Sequence, residues 1–241
     1  AEGDHHAAAK AWRKIIKEWP DDHQAYHNLA CVIVRSGRIV EAVPMFLKAM
    51  ELCEDDTDQW ATSAACAFDV LKSPSGREVP KPEWWNDEAL EALSARVVAA
   101  APNEHMSCSM RARVREGHAL CEADWNAGPR TAAEIKEAAT WYRRAAMLTR
   151  SSADKRRYEQ VASRCDEVAD PLLAKEEAEA EEARAAADAE AAEALKVAEA
   201  KAKAAADELL AEEEHERMMA VASTMASKAK PGKGKKGKGK R

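Results

Sequence analysis

Residues 20–54 read PDDHQAYHNLACVIVRSGRIVEAVPMFLKAMELCE, and their pattern decides the fold. Tyr26, Leu29, Ala30 and Ile33 recur at helical spacing, Ser36-Gly37 interrupts them, and Ala42, Phe46, Ala49 and Met50 resume the period. This predicts two helices joined by a tight turn. Ala30 and Ala42 are small enough to let antiparallel helices approach closely, while Tyr26 and Phe46 fill the space between pairs. Gly37 can take the left-handed conformation that ends the first helix, and Pro20 can open a unit without breaking a helix. The second half also recurs upstream: Gly3, Ala8, Trp12, Ile15 and Ile16 stand 34 residues before Gly37, Ala42, Phe46, Ala49 and Met50.

Working outward, a third unit is legible but stretched. Trp60, Ala64 and Ala67 predict a helix ending near Leu71. Ser73-Pro74-Ser75-Gly76, Pro80 and Pro82 then force a loop through Trp84-Trp85. Asn86 or Asp87 can cap a helix carrying Leu90, Leu93 and Val97, closing at Pro102. The fourth unit predicts a long helix over residues 104–126, with Gly117-His118-Ala119-Leu120 in its packing positions. A Gly128-Pro129 loop follows, then a helix capped by Thr131 and packed through Ala138, Tyr142 and Ala145. Residues 153–169 predict a cap helix that ends before Pro171.

Beyond Leu172 the sequence becomes rich in Ala, Glu and Lys, without Gly or Pro until the tail, which predicts one long helix. Its heptads are poor, since Leu195, Ala202 and Leu209 are followed by Glu216, so a solvated single helix is favoured over a weak coiled coil. Residues 227–241 form a Lys/Gly tail expected to be disordered. The resulting plan is an all-α chain. Residues 1–170 are a solenoid of antiparallel helix pairs with a cap helix, 171–226 a long charged helix, and 227–241 a basic tail.

Composition agrees with that plan. Charged residues make up 33% and aromatics 5%, and much of the 46% apolar fraction is Ala, so one large compact core is disfavoured. The net charge of −6 divides unevenly: seven Lys and one Arg in 228–241 carry +8, leaving −14 on residues 1–227. The six Cys are scattered without a Cys-x-x-Cys pair, which predicts reduced thiols in a cytoplasmic or nuclear compartment. No apolar run is long enough to span a bilayer, so no membrane partner is expected. The polar start without Met or a basic-then-apolar leader suggests a processed or truncated beginning.

The pattern across 3–54 resembles the tetratricopeptide repeat family. Tyr26 falls on the aromatic fourth position, Leu29 on the seventh, Ala30 on the small eighth and Gly37 on the turn; Ala42, Phe46 and Ala49 take the second helix's packing positions. Two departures are Glu54 at the repeat-closing proline and Pro44 inside the second helix, which predicts a mild kink. The resemblance implies a helix missing before Gly3. It also implies a concave groove lined by the first helices, at Gln24, His27, Cys31, Val34 and Arg35, then Asp58, Ala61, Ala65 and Asp69. Some family members clamp a chaperone's terminal carboxylate. Asn28 matches one clamp position here, but Asp58 and Thr62 stand where cations are needed, so that specialisation is not expected.

Two constellations mimic metal sites. His23, His27 and Cys31 share a helix face, but His23 and Cys31 would lie roughly 12 Å apart, too far for one ion. His105-x-x-Cys108 and His118-x-x-Cys121 would be separated by roughly 20 Å on one helix. Gly-rich phosphate loops, serine elbows and acid/base pairs are not evident, so neither catalysis nor a cofactor is expected. The tail residues Lys233, Lys235, Lys236, Lys238, Lys240 and Arg241 alternate with Gly and can hold a polyanion through counterion release. The leading expectation is a scaffold that grips an unidentified protein or peptide. The alternatives are a ribosome- or RNA-associated factor using the tail, and an accessory region of a larger enzyme.

Overall fold

A computed structural model describes residues 2–120 and 123–228. Among these the chain forms eight α-helices and no strand: α1 (Glu2–Glu18), α2 (His23–Arg35), α3 (Ile39–Leu52), α4 (Asp58–Lys72), α5 (Asp87–Ala100), α6 (His105–Glu116), α7 (Ala132–Leu148) and α8 (Ser152–Lys228), with a 3-10 turn at Pro74–Glu78. Two compact units divide the chain, residues 1–176 and residues 177–241. In the first unit each helix from α1 to α7 packs on its sequence neighbours, and α4 also touches α6. Such nearest-neighbour packing is the signature of a stacked helix-pair array.

Local chemistry explains the boundaries. Asp22 accepts hydrogen bonds from the Gln24 and Ala25 amides at 2.9 and 3.2 Å to start α2. Gly37, at φ +77°, makes the turn into α3 that the sequence assigned to it. Asn86 caps α5 through the Ala89 amide, and Thr131 with Glu134 closes a reciprocal capping box on α7. Ala30 and Ala42 are fully buried where α2 and α3 meet, and Phe46 is 2% exposed, whereas Tyr26 is only half-buried. A large side chain in either Ala position would force the helix pair apart.

Three cores run along the unit. The first joins α1 to α4 through Ala9, Leu29, Ile33, Phe46 and Leu71. The second joins α4, α5 and α6 through Trp60, Phe68, Leu90, Val97 and Met110, and the third joins α5 to the start of α8 through Cys108, Ile135, Tyr142, Tyr158 and Cys165. Adjacent cores share helices, so burial is continuous along the array.

Three findings differ from the sequence reading. The fourth unit's first helix does not continue to residue 126: α6 stops at Glu116, because Gly117 turns to φ 50°. Its small packing residue is therefore the fully buried Ala112 and not a residue of the 117–120 stretch. α8 does not stop before Pro171 but passes through it. Ala162, Cys165 and Ala169 anchor the helix on one side and a strongly helix-forming run follows on the other, which together offset one missing backbone hydrogen bond. Finally, α1 already runs through Gly3, so this glycine does not repeat the turn of Gly37.

Helix starts expose a period that the sequence pattern hid. From His23 to Asp58 is 35 residues, but Asp58 to His105 and His105 to Ser152 are each 47. The extra length sits in the loops over 73–86 and 117–131. The first loop is folded inward: Trp85 packs with Phe68, Trp84 and Trp125, at ring separations of 5.5 to 5.9 Å. Lys81 ties it down by donating to the Leu71 and Gly76 carbonyls at 2.8 Å each. Gly76 is required by close approach, since a Cβ there would lie 2.2 Å from the Val70 carbonyl oxygen.

In the second unit, every side chain described from 177 to 223 is exposed. Among the described residues no helix is long and apolar enough to cross a membrane.

Candidate partner-binding face

The side of the array built from α2, α4, α6 and the start of α8 carries two clefts. The first, of about 130 Å³, opens between α2 and α4 and is lined by His23, Gln24, His27, Asp58, Thr62 and Ser63. Three of the residues implied as groove-lining, Gln24, His27 and Asp58, are thus brought together from two helices. His27 is the hinge of the cleft. Its Nδ1 lies 3.1 Å from the Ser63 hydroxyl, its Nε2 lies 3.5 Å from the Cys31 Sγ, and its ring meets Phe46 edge-on at 5.4 Å. With both nitrogens engaged within the protein, His27 is a bridge between helices and has no free nitrogen to share an ion with His23.

Burial, with His23 nearby, holds the His27 imidazole below its ordinary pKa, so the neutral ring is favoured. Burial likewise raises the Cys31 thiol, and burial together with Cys31 raises Cys66 further. These thiols are therefore protonated at neutral pH. Arg35 sits exposed in the last turn of α2 and lines neither cleft.

Asp69, the last implied groove residue, belongs to the second cleft. This cavity of about 370 Å³ is lined from α4 by Asp69 and Lys72, from α6 by Arg113 and Glu116, from α7 by Tyr142, and from α8 by Arg157, Tyr158 and Arg164. Asp69 accepts from Arg113 Nη1 at 2.6 Å, and the Arg113 side chain is 14% exposed. Glu116 is 3% exposed; burial raises its carboxyl, opposed by a hydrogen bond with Tyr142 and by the charges of Lys72, Arg113 and Arg164. The Lys72 ammonium is covered, meets no hydrogen-bond acceptor among the described residues, and rests 4.9 Å from the Trp125 ring centroid.

Sequence reasoning missed this second cleft except for Asp69. Its α6 and α8 walls lie within stretches already read as helical, 104–126 and 153–169; the sequence pattern does not show that these helices meet α4 and α7 around one cavity. On α6, Arg113 and Glu116 share a face, and α8 supplies Arg157, Val161 and Arg164 at helical spacing.

The opposite edge of α5, α6 and α7 is an ion-pair lattice. Arg111 and Arg115 engage Glu91, Glu134 and Glu137 at 2.7 to 3.4 Å. With its charges already paired, this lattice holds the helices together and offers little to a ligand.

The second metal-like constellation separates. Cys108 is buried and donates to the Pro102 carbonyl at 3.8 Å, while His118 lies past the end of α6 and accepts from the Ala123 amide at 3.0 Å. Cys121 and the tail residues Lys233, Lys235, Lys236, Lys238, Lys240 and Arg241 lie outside the described residues. No group of three His, Cys, Asp or Glu placed to hold a metal ion occurs among the described residues. No protein-family model matches the chain, and neither does any curated protein.

Proposed function

We propose that the chain is a non-catalytic interaction scaffold of tetratricopeptide type, gripping a segment of a partner protein along the face of α2, α4, α6 and α8. The observation that carries this reading is the placing of both clefts on that one side, between helices 35 and 47 residues apart in sequence. An extended or helical peptide laid across successive helices meets polar side chains at each step. Support for the repeat type comes from the tight Gly37 turn and from the buried Ala30 and Ala42 at the helix-pair contact. The free thiols Cys31, Cys53, Cys66, Cys108 and Cys165 support residence in the cytoplasm or nucleus.

The test is capture by the immobilised full chain, with partners identified by mass. Charge reversal at Asp58, or Gln24→Lys at an exposed position of the same cleft, is expected to lower recovery of a specific partner by about tenfold while leaving the thermal midpoint within a few degrees. Equal recovery by wild type and both variants would remove the face from the proposal.

A second reading rests on the basic tail: nucleic acid or another polyanion held by its Lys and Arg residues. Removing residues 228–241 and titrating RNA across a salt series separates the two. Salt-dependent RNA binding that vanishes with the tail supports polyanion contact, and its absence in the intact chain ends that reading.

A further inference from the structure

The larger cleft carries more cations than acids. Four cations line it, Lys72, Arg113, Arg157 and Arg164, against two acids, Asp69 and Glu116. Arg113 is taken by Asp69 at 2.6 Å. Arg157 and Arg164 stand exposed on α8. Lys72 has its ammonium covered and without a hydrogen-bond acceptor among the described residues; it lies over the face of Trp125 and its charge acts on Glu116. This local excess of positive charge occurs in a body whose residues 1–227 carry a net −14. It is therefore a specific feature of this site and not a reflection of overall composition.

We propose that this cavity takes a side-chain carboxylate of an acidic partner peptide, paired with Lys72 within the cleft and with Arg157 and Arg164 at its mouth. The inference rests on the reading of the face as a peptide-binding surface and specifies the chemistry it selects. A buried ammonium without an acceptor is a costly group, and an incoming carboxylate gives it a charge-assisted hydrogen bond. Pro74 and Val161 supply apolar walls for the methylene stem of an Asp or Glu. The volume of about 370 Å³ accommodates such a side chain with its flanking backbone. A monoanion fits better than a phosphate dianion, because Asp69 and Glu116 repel added negative charge at close range.

The experiment selects short random peptides by display on the full chain, followed by fluorescence anisotropy with labelled versions of those enriched. Wild type is expected to enrich Asp- or Glu-bearing peptides, and replacing those acids by Asn or Gln should weaken binding by about tenfold or more. The double variant Arg157→Gln/Arg164→Gln, confined to exposed positions, should lose the acidic preference while the thermal midpoint stays within a few degrees. Lys72→Met should weaken acidic peptides while sparing their amide counterparts. If Lys72→Met fails to fold, the rim variant still decides the matter. Enriched peptides that lack acids, or equal binding of acid and amide forms, would overturn the carboxylate site while leaving the peptide-binding face intact. No enrichment on wild type would remove both. Tighter binding of phosphoserine in place of the acid would replace the carboxylate by a phosphate and so overturn the proposal as stated.

Discussion

Asp87 ties three parts of the array together. From the first turn of α5 it accepts from the Trp125 indole at 3.1 Å, the Gly128 amide at 2.9 Å and the Arg130 guanidinium at 2.9 Å. Arg130, whose side chain is 6% exposed, also donates to the Val114 carbonyl at 3.0 Å near the end of α6. One ion pair therefore fastens the segment before α7 to two earlier helices. Asp87→Asn is expected to cost roughly 2–3 kcal/mol, since it strands a covered guanidinium, and the urea midpoint checks this. The Arg130 hydrogen bond outweighs partial burial and holds the Asp87 carboxyl far below the usual carboxylate range. That contribution is present above an unfolded pKa of about 4 and is lost as pH falls below it, so the acid limb of stability should be shallower in Asp87→Asn. His27 works in a different window. Its folded pKa is lowered, so the unfolded chain binds the proton first, and stability falls as pH drops below about 6.5. His27→Gln should flatten the change in denaturation midpoint between about pH 7.5 and about pH 5.5; an unchanged slope would show that the burial of His27 carries no linkage.

At the scale of elements, the signals that proved readable were those acting over a few residues. Thr131 and Gly37 mark helix boundaries through groups within four positions and lie where the sequence reading put them, and of the two candidate caps for α5, Asn86 is the one used. The errors arose where a distant residue decides. Gly117 can be a small packing residue inside a helix or a turn after one. The structure makes it a turn because Arg130, arriving from 13 residues away, occupies the space where its Cβ would stand, with Nε 2.8 Å from that position. Gly117→Ala should therefore destabilise by roughly 1–3 kcal/mol through both backbone strain and this contact, measurable by thermal unfolding. Pro171 misleads in the opposite sense, because a proline reads as a helix end when its flanks are ignored. Pro171→Ala restores a backbone donor within α8 and is expected to add about 1–3 kcal/mol to local helix stability. Slower amide exchange over 168–176 would show it, and unchanged exchange would contradict it. The site followed the same rule. The first cleft was legible because it joins two helices of adjacent units, α2 and α4, whereas the second needs α4, α6, α7 and α8 brought together across long loops, which no local pattern announces.

For the molecule as a whole, the overlapping cores of residues 1–176 contrast with the second unit, where no described side chain from 177 to 223 is buried. Helices without tertiary burial open easily, because propensity and i,i+4 pairs contribute only tenths of a kcal/mol each. Amide exchange should accordingly be slowest in the cores of α4, α6 and α7 and faster by orders of magnitude over 177–228. Comparable protection in both would mean that the second unit is covered by another chain. That same exposure bears on how the segment can change over generations. A buried position accepts few replacements, whereas a fully exposed helical one accepts nearly any residue that neither breaks the helix nor upsets solubility. Selection can therefore hold residues 177–223 to a composition but not to a spelling. Copies of this protein in other lineages should keep the letters around Ala30, Ala112 and Asp87 long after the Ala/Glu stretch has been rewritten.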